Sequence, residues 1–415
     1  MIASIFAAPF CGVRSVVGVQ LVLLPLAHIY LVGAALVASL VCHLLQGDQG
    51  DQRGRRQFEV PHLILYPWAV WLVAASISLI VNGISSRSLF QFAEFIFYGL
   101  IGTFAFQISV GGASHLRHIL KSLMASAFFL AIVLGLIYRT RGVQDGYFIG
   151  SNEAAFILVV CGLVVPVYWI STVSDWRKAA IGWVVIMVSL WAIYLGESRA
   201  GIGFGLAVIG SFVLSSLLGV SFAKCAVACA ILVLLGSQQT SVQEVAGRLF
   251  DTERNFSNIE RTALIESCYA LFVERPWTGW GWGTMESLLD TYSLSKNSYP
   301  HPHNTYAHFA AEIGVGGLVC LGMIFIGLGT IAVGNYRAGR RHEALFAAYC
   351  LVTLVVLGMV NDYFYGANRG IIVAVMLGLA AGVQAPRKRL MRMNSGRLAP
   401  GNSLAIPTTI HSAGS

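Results

Sequence analysis

Apolar runs of about 20 residues, the length that crosses a hydrocarbon core, recur along most of this chain with short polar segments between them. They fall near residues 62–82, 90–110, 119–138, 153–171, 179–196, 202–218, 222–236, 306–333, 345–361 and 368–384. The stretch up to Leu45 holds either two more, broken near Pro25, or one tilted span, so the count is twelve or eleven. It lacks the layout of a clean signal peptide, because Arg14 follows an apolar stretch and further spans come after it. Long runs without alternation predict helices; barrel strands are about half as long and alternate. The predicted fold class is all-α: a polytopic integral membrane protein with about 12 transmembrane helices and one large periplasmic loop containing a short amphipathic helix. Four parts are expected: N-terminal membrane helices over 1–236, the loop over 237–305, C-terminal membrane helices over 306–384, and a basic cytoplasmic tail over 385–415, expected to be disordered.

Composition agrees. Hydrophobic residues make up 56% of the chain and charged residues 11%, and the mean hydropathy is +0.72. A soluble domain carries roughly 25% charged residues, so water cannot be the only solvent here. In a bilayer every backbone N–H and C=O must be satisfied internally, which again selects helices. The net charge of +8 is spread over short loops and the tail, a membrane-topology pattern and not a nucleic-acid footprint. Most cysteines, among them Cys42, Cys161, Cys225, Cys229, Cys320 and Cys350, fall in apolar segments, and Cys268 lies in the loop. No disulfide framework or CxxC metal site is seen.

Lys and Arg counting gives the orientation. The tail holds Arg387, Lys388, Arg389, Arg392 and Arg397 and is placed in the cytoplasm. Alternating backwards puts Arg337, Arg340 and Arg341 inside, then Arg177 and Lys178, Arg117 and Lys121, and Arg53, Arg55 and Arg56. The opposite loops are poorer, with Arg87, Arg139, Arg141 and Arg199. The loop 237–305 and the turn Glu197-Ser198-Arg199-Ala200-Gly201 then share the outer face of the membrane.

Inside the loop, Ser257-Asn258-Ile259-Glu260 reads as a capping box. Ile259, Leu264, Cys268, Leu271 and Phe272 follow at helical spacing, and Pro276 ends the pattern. Next comes Glu274-Arg275-Pro276-Trp277-Thr278-Gly279-Trp280-Gly281-Trp282-Gly283. It has no Lys or strand context for a phosphate loop, so ATP use is not indicated. Its glycines allow close backbone approach to a ligand, and its tryptophans fit either a headgroup-level belt or a sugar face. His301-Pro302-His303-Asn304-Thr305-Tyr306 precedes a span. A histidine there suits a general base or a phosphate donor. His301, His303 and His308 lack an acidic or thiolate ligand at metal spacing, so no metal and no cofactor are expected. Arg199 at a span boundary and Arg261 in the loop helix read singly as a snorkelling and a surface arginine. Together with a histidine on one face, their forks match a diphosphate.

Tyr194-Leu195-Gly196-Glu197-Ser198-Arg199-Ala200-Gly201 resembles the "SR-G" turn of the bacterial O-antigen ligase and polymerase superfamily. Arg261 with the Pro276 to Gly281 segment resembles its loop arginine and "P-GxG" element. His303-Asn304-Thr305-Tyr306 with Ala311-Glu312-Ile313-Gly314 resembles its "HN" motif and glutamate-glycine helix, and Gly150-Ser151-Asn152-Glu153 its asparagine turn. The similarity covers roughly residues 150–380. It implies transfer of a glycan from undecaprenyl diphosphate, at the periplasmic face, to lipid A–core in ligases or to another lipid-linked repeat unit in O-antigen or exopolysaccharide polymerases. By the resemblance, Arg199 and Arg261 hold the diphosphate and His303 assists the acceptor hydroxyl. Asn304, Gly279, Gly281 and Glu197 are expected to contribute to substrate binding. The implied partners are the lipid-linked donor, the sugar acceptor and the bilayer, with no nucleic acid. A transporter or flippase shares the spans but predicts ionisable groups deep in the membrane; Glu94 is the clearest one here.

Overall fold

A computed structural model describes residues 15–16, 19–20, 62–109, 113–141, 151–218, 255–292, 302–359, 361–364 and 367–383. Apart from a two-residue antiparallel ladder, Ser15–Val16 against Val19–Gln20, the described residues are helical or in short connections. α1 is His62–Asn82; α2, Ser86–Phe95, runs through a π-helical stretch, Ile96–Ile101, into α3, Gly102–Ser109. α4 is Ala113–Arg141. α5, Ser151–Val159, likewise continues through a π-helical stretch, Val160–Val164, into α6, Val165–Thr172. α7 is Trp176–Leu195 and α8 Arg199–Leu218. α9, Asn255–Glu274, and α10, Met285–Tyr292, follow. α11 is Thr305–Ile313, α12 Val315–Arg337, α13 Arg341–Gly358 and α14 Ala367–Gly382.

Six helical segments among the described residues are long and apolar enough to cross a membrane: 65–82, 116–140, 152–172, 176–195, 315–337 and 341–358. The helices at 201–214 and 370–382 are apolar but shorter. The expected spans before residue 62 and at 222–236, the first part of the loop, and the basic tail lie outside the described residues. Large apolar side chains face outward on these helices; Ile80 is 72% exposed and Ile326 69%. A surface of that kind is suited to lipid. The chain is thus all-helical and multi-pass.

The α5–α6 segment is the centre of the bundle, with 89% of its window buried, and the second half of α14 is buried on every side. α1 packs antiparallel on α12 in a fixed register. Ser78 Oγ donates to the Glu312 carbonyl (2.8 Å), the Cys320 thiol donates to the Pro67 carbonyl (3.3 Å), and Gly327 sits so close to the Leu63 carbonyl that a Cβ would lie 2.6 Å from it. Pro67 has no N–H to give Leu63, which leaves that carbonyl free to face α12. The α4–α7 contact uses the same device, since a Cβ on Gly135 would lie 2.0 Å from the Trp191 ring. Small residues at such crossings let helices approach closely in lipid.

One predicted span is corrected. The apolar run 306–333 is two helices, α11 and α12, broken at Gly314, where φ is 71° and ψ −150°. That backbone region is closed to side chains. The break leaves α11 out of the continuous apolar helix, Val315–Arg337, that is long enough to cross a membrane.

Candidate active site

The helices alternate in direction, so their ends gather at two faces. The 82–86 and 195–199 connections, the C-terminus of α4, the N-terminus of α5, and residues 275–284, 302–304 and 361–364 share one end. The bonds Asn82 Nδ2 to the Gly279 carbonyl (3.0 Å), Ser198 Oγ to Asn152 Oδ1 (3.2 Å) and Asn361 Nδ2 to the Asn152 carbonyl (3.2 Å) tie them together. The opposite end carries Arg177, Lys178, Arg337, Arg340 and Arg341 at its connections, with Arg117 and Lys121 in the first turns of α4.

At the first end, four turns make a ring of hydrogen bonds. Ser198 precedes α8; its carbonyl accepts from Ile202 N (2.9 Å) and its hydroxyl from Gly201 N (3.4 Å), a serine cap on otherwise unsatisfied donors. Gly201 is needed there because a Cβ would strike Ala155 at 2.8 Å and Ile193 at 2.9 Å. Asn304 caps α11, its Oδ1 accepting from Ala307 N at 3.0 Å. Its amide donates to the Met359 carbonyl (3.2 Å), Thr305 Oγ1 to the Asn361 carbonyl (2.9 Å) and Tyr306 OH to the Val355 carbonyl (2.8 Å). The Asn-Thr-Tyr sequence thus satisfies carbonyls at and after the C-terminus of α13. A small open hollow lies among these turns, lined by Asn152, Ala155, Phe156, Ser198, Gly201, Leu357 and Asn361.

Two non-glycine residues have positive φ among the described residues: Glu197 (54°) and His303 (48°). Each directly precedes the capping residue of its turn. Backbone strain of this kind persists only where the surroundings over-determine it, and it clusters at functional sites.

The segment after α9 docks on the α11–α12 junction. Trp280 N donates to the Ala311 carbonyl (2.9 Å), Gly281 N to the Glu312 carbonyl (3.0 Å) and Val315 N to the Pro276 carbonyl (2.7 Å). A Cβ on Gly279 would lie 2.3 Å from the Glu312 carbonyl carbon, so the close approach made by this glycine is to protein backbone. The three tryptophans separate. Trp277 is 79% exposed; Trp280 stacks under the Arg275 guanidinium at 4.0 Å; Trp282 is core, in contact with Trp71, Phe95, Phe309 and His308. Arg275 also donates to Asn82 Oδ1.

Behind the ring lies a buried ionic cluster that sequence reading does not assemble. His308 Nδ1 pairs with Asp362 Oδ2, and His308 Nε2 lies 3.2 Å from Glu312 Oε2, within ion-pair distance. Glu312 Oε1 accepts from Met285 N at 2.9 Å. All three side chains are 0–1% exposed. Burial alone would lower the imidazole pKa; Asp362 and then Glu312 outweigh it and push it up to about 10. The carboxylates bind opposite ring nitrogens, and no group of three or more His, Cys, Asp or Glu among the described residues could hold a metal ion.

The structure therefore brings the turns of Arg199 and His303 to the same end of the bundle, joined through Asn152 and Asn361; Ser198 and Asn361 line the hollow there, and residues 302–306 do not. Arg199 is the first residue of α8, and Arg261 lies on α9, whose Leu264, Cys268 and Leu271 pack with Ala307 and Ala311 of α11. Both arginine side chains, and His301, lie outside the described residues. Glu197 is exposed and His303 half-buried. Glu94 lines a separate small hollow with Gln91, Tyr98, Trp282 and Phe364. Asn361 and Asp362 were missed by sequence reading; their signal is a polar pair closing an apolar run.

Against known families, residues 183–322 match the family model described as O-antigen ligase. Over that third of the chain it is similar to the O-antigen ligase and polymerase superfamily. The matched segment runs from within α7 into α12 and carries Arg199, Arg261 and His303, while Asn152 and Asn361 fall outside it. A comparison with curated proteins gave no match. The similarity supports, in general terms, an O-antigen ligase or polymerase type of function in a membrane setting.

Proposed function

We propose that the protein is a ligase that transfers a glycan from undecaprenyl diphosphate to lipid A–core at the periplasmic face of the inner membrane. The observation that supports this reading is the chain of hydrogen bonds Ser198–Asn152–Asn361–Thr305, which joins the turns that precede Arg199 and follow His303 at one end of the bundle. In the reaction, an acceptor hydroxyl oxygen attacks the anomeric carbon. The bond from that carbon to the diphosphate oxygen breaks, and undecaprenyl diphosphate leaves. His303 accepts the hydroxyl proton. Arg199 and Arg261 stabilise the negative charge growing on the leaving diphosphate, bidentate where geometry allows. Glu197, Asn304, Gly279 and Gly281 shape the substrate site; Asn304 and the glycines do so through the packing described above. The excess of Lys and Arg at the opposite end supports placing the site outside. On this reading residues 237–305 are the periplasmic loop, the helices before and after it are the two membrane parts, and 385–415 is cytoplasmic.

The test is purified protein in lipid, given an undecaprenyl-diphosphate glycan and, separately, lipid A–core or a second lipid-linked repeat unit, with donor binding and product followed independently. Transfer to lipid A–core is expected. Chain extension without transfer to lipid A–core would make the enzyme a polymerase. Arg199→Lys and Arg261→Lys keep charge but lose the fork, and each is expected to slow transfer on the order of 100-fold. His303→Ala is expected to slow transfer with donor binding retained. Near-normal turnover in all three variants refutes the site.

A further inference from the structure

Carboxylates occupy both nitrogens of a completely buried imidazole, His308, on the helix that begins immediately after the His303–Asn304 turn. A neutral imidazole has one N–H and would present a lone pair to one of the two carboxylates; the arrangement suits an imidazolium, which donates from both nitrogens. The cluster then carries two negative charges and one positive, a net charge of about −1 in a place where ions are costly to bury. Apolar residues would fill the same space with less penalty, so stability is a poor reason for these three groups.

Their connections give a better one. His308 N donates to the Asn304 carbonyl at 3.0 Å, so the ring is one helical turn below the capping asparagine. Asp362 N donates to Asn361 Oδ1 at 2.9 Å, and Asn361 lines the hollow and holds Asn152. Glu312 takes Met285 N, while its own carbonyl takes Gly281 N and Ser78 Oγ. The Trp282 ring lies nearly parallel to the imidazole, 6.4 Å away at 26°. Three chain segments, carrying the histidine turn, the Asn361 turn and the glycine-tryptophan segment, thus meet at one imidazole. The left-handed backbone of His303 is strained and needs a fixed base to persist.

We propose that His308, clamped between Asp362 and Glu312, is a positioning residue for glycan transfer: it holds the His303–Asn304 turn and Asn361 in place for the acceptor hydroxyl. The proposal rests on the transferase reading above. It acts through the turn of His303, the group assigned to the acceptor hydroxyl. Its loss therefore lowers kcat and leaves the KM for the lipid-linked donor in place, because misplacing a reacting group by about 1 Å can cost roughly 100-fold in rate.

The experiment compares wild type, His308→Gln and the double variant His308→Gln/Glu312→Gln, reconstituted in lipid with the undecaprenyl-diphosphate glycan and acceptor, with kcat counted per donor-binding site. His308→Gln leaves two buried carboxylates with no cation, whereas the double variant returns the cluster to a net charge of about −1 with amide donors. Expected are a fall in kcat of about 10-fold or more for the single variant with donor KM within about twofold, and recovery to within about threefold of wild type in the double variant. A folded single variant with wild-type kcat, or a folded double variant as slow as the single, overturns the proposal. If the single variant does not fold, the double variant decides alone: folding with near-wild-type kcat supports the clamp, and folding with kcat down 10-fold or more sinks it. Absence of transfer by wild type counts against the transferase reading instead.

Discussion

Replacing Gly314 by alanine is the sharpest test of how the loop is attached to the bundle. Gly314 has φ 71° and ψ −150°, a region that costs about 1–3 kcal/mol for a residue with a side chain. The new methyl would also lie 2.4 Å from the Pro276 carbonyl oxygen and 2.8 Å from the Trp277 carbonyl carbon. Backbone cannot swing aside as a side chain does, so the 276–281 segment must lift. Lifting it breaks Val315 N to Pro276 O, Trp280 N to Ala311 O and Gly281 N to Glu312 O, each worth about 0.5–1.5 kcal/mol net. The sum is about 3–7 kcal/mol, concentrated at one junction. Gly322 is the control: it lies in the same helix, α12, with nothing within 4 Å of where a Cβ would sit, and alanine there is expected to be neutral or to stabilise by up to about 1 kcal/mol. Thermal unfolding of both variants in lipid nanodiscs, followed by tryptophan emission, reads the difference. A fall of about 5 °C or more is expected for Gly314→Ala, together with greater protease sensitivity between Pro276 and Thr284. Equal midpoints for the two variants would refute the docking argument.

Other consequences can be measured directly. Transfer activity is expected to survive strong chelation; loss on EDTA treatment with restoration by one divalent ion would revive a role for His301, His303 and His308 at a metal. Reporter fusions within 237–305 are expected to be active only outside the cytoplasm and fusions after Gln384 only inside; a loop reporter active in the cytoplasm reverses the orientation and removes the site from the periplasm. The raised pKa of His308, about 10 against an ordinary 6.5, means that its charge contributes stability fully below about pH 6.5, and that this contribution is lost as pH rises through about 10. The unfolding midpoint should fall across that alkaline range in wild type and fall less in His308→Gln/Glu312→Gln, where no imidazolium faces Asp362; parallel pH curves would contradict the assignment of charge.

Hydropathy found the helices that lipid demands, because an apolar run is a property of consecutive residues. The start of α1, the α5–α6 segment, α7 and α13 all lie within a few residues of their expected positions. It could not find the break at Gly314, since a hydropathy average is blind to φ and the glycine adds no polarity. The neighbouring Glu312, an acid in an apolar run, was the available hint. The turns of Arg199 and His303 were legible because polar residues at the ends of spans stand out against what flanks them. The partnership of His308 with Asp362 was not, because 54 residues separate them and only the return of α13 beside α11 closes the gap. Trp282 could not be told from Trp277 by composition; the docking of its segment buries one ring and exposes the other.

The pairing of α1 with α12 also bears on biosynthesis. α1 leaves the ribosome long before its partner, and the register that joins them, Ser78 with Glu312 and Pro67 with Cys320, spans more than half the chain. α3 likewise packs on α14, the last described helix. Early helices must therefore wait in the bilayer, with the proline-freed Leu63 carbonyl uncovered, until late ones arrive. The bonds around the hollow form after α13 has been made, because Asn361 follows Asn152, Ser198 and Thr305 in the chain, and only α14 comes later. A nascent protein stalled before that residue lacks the link that fastens the Asn152 and Thr305 turns to each other.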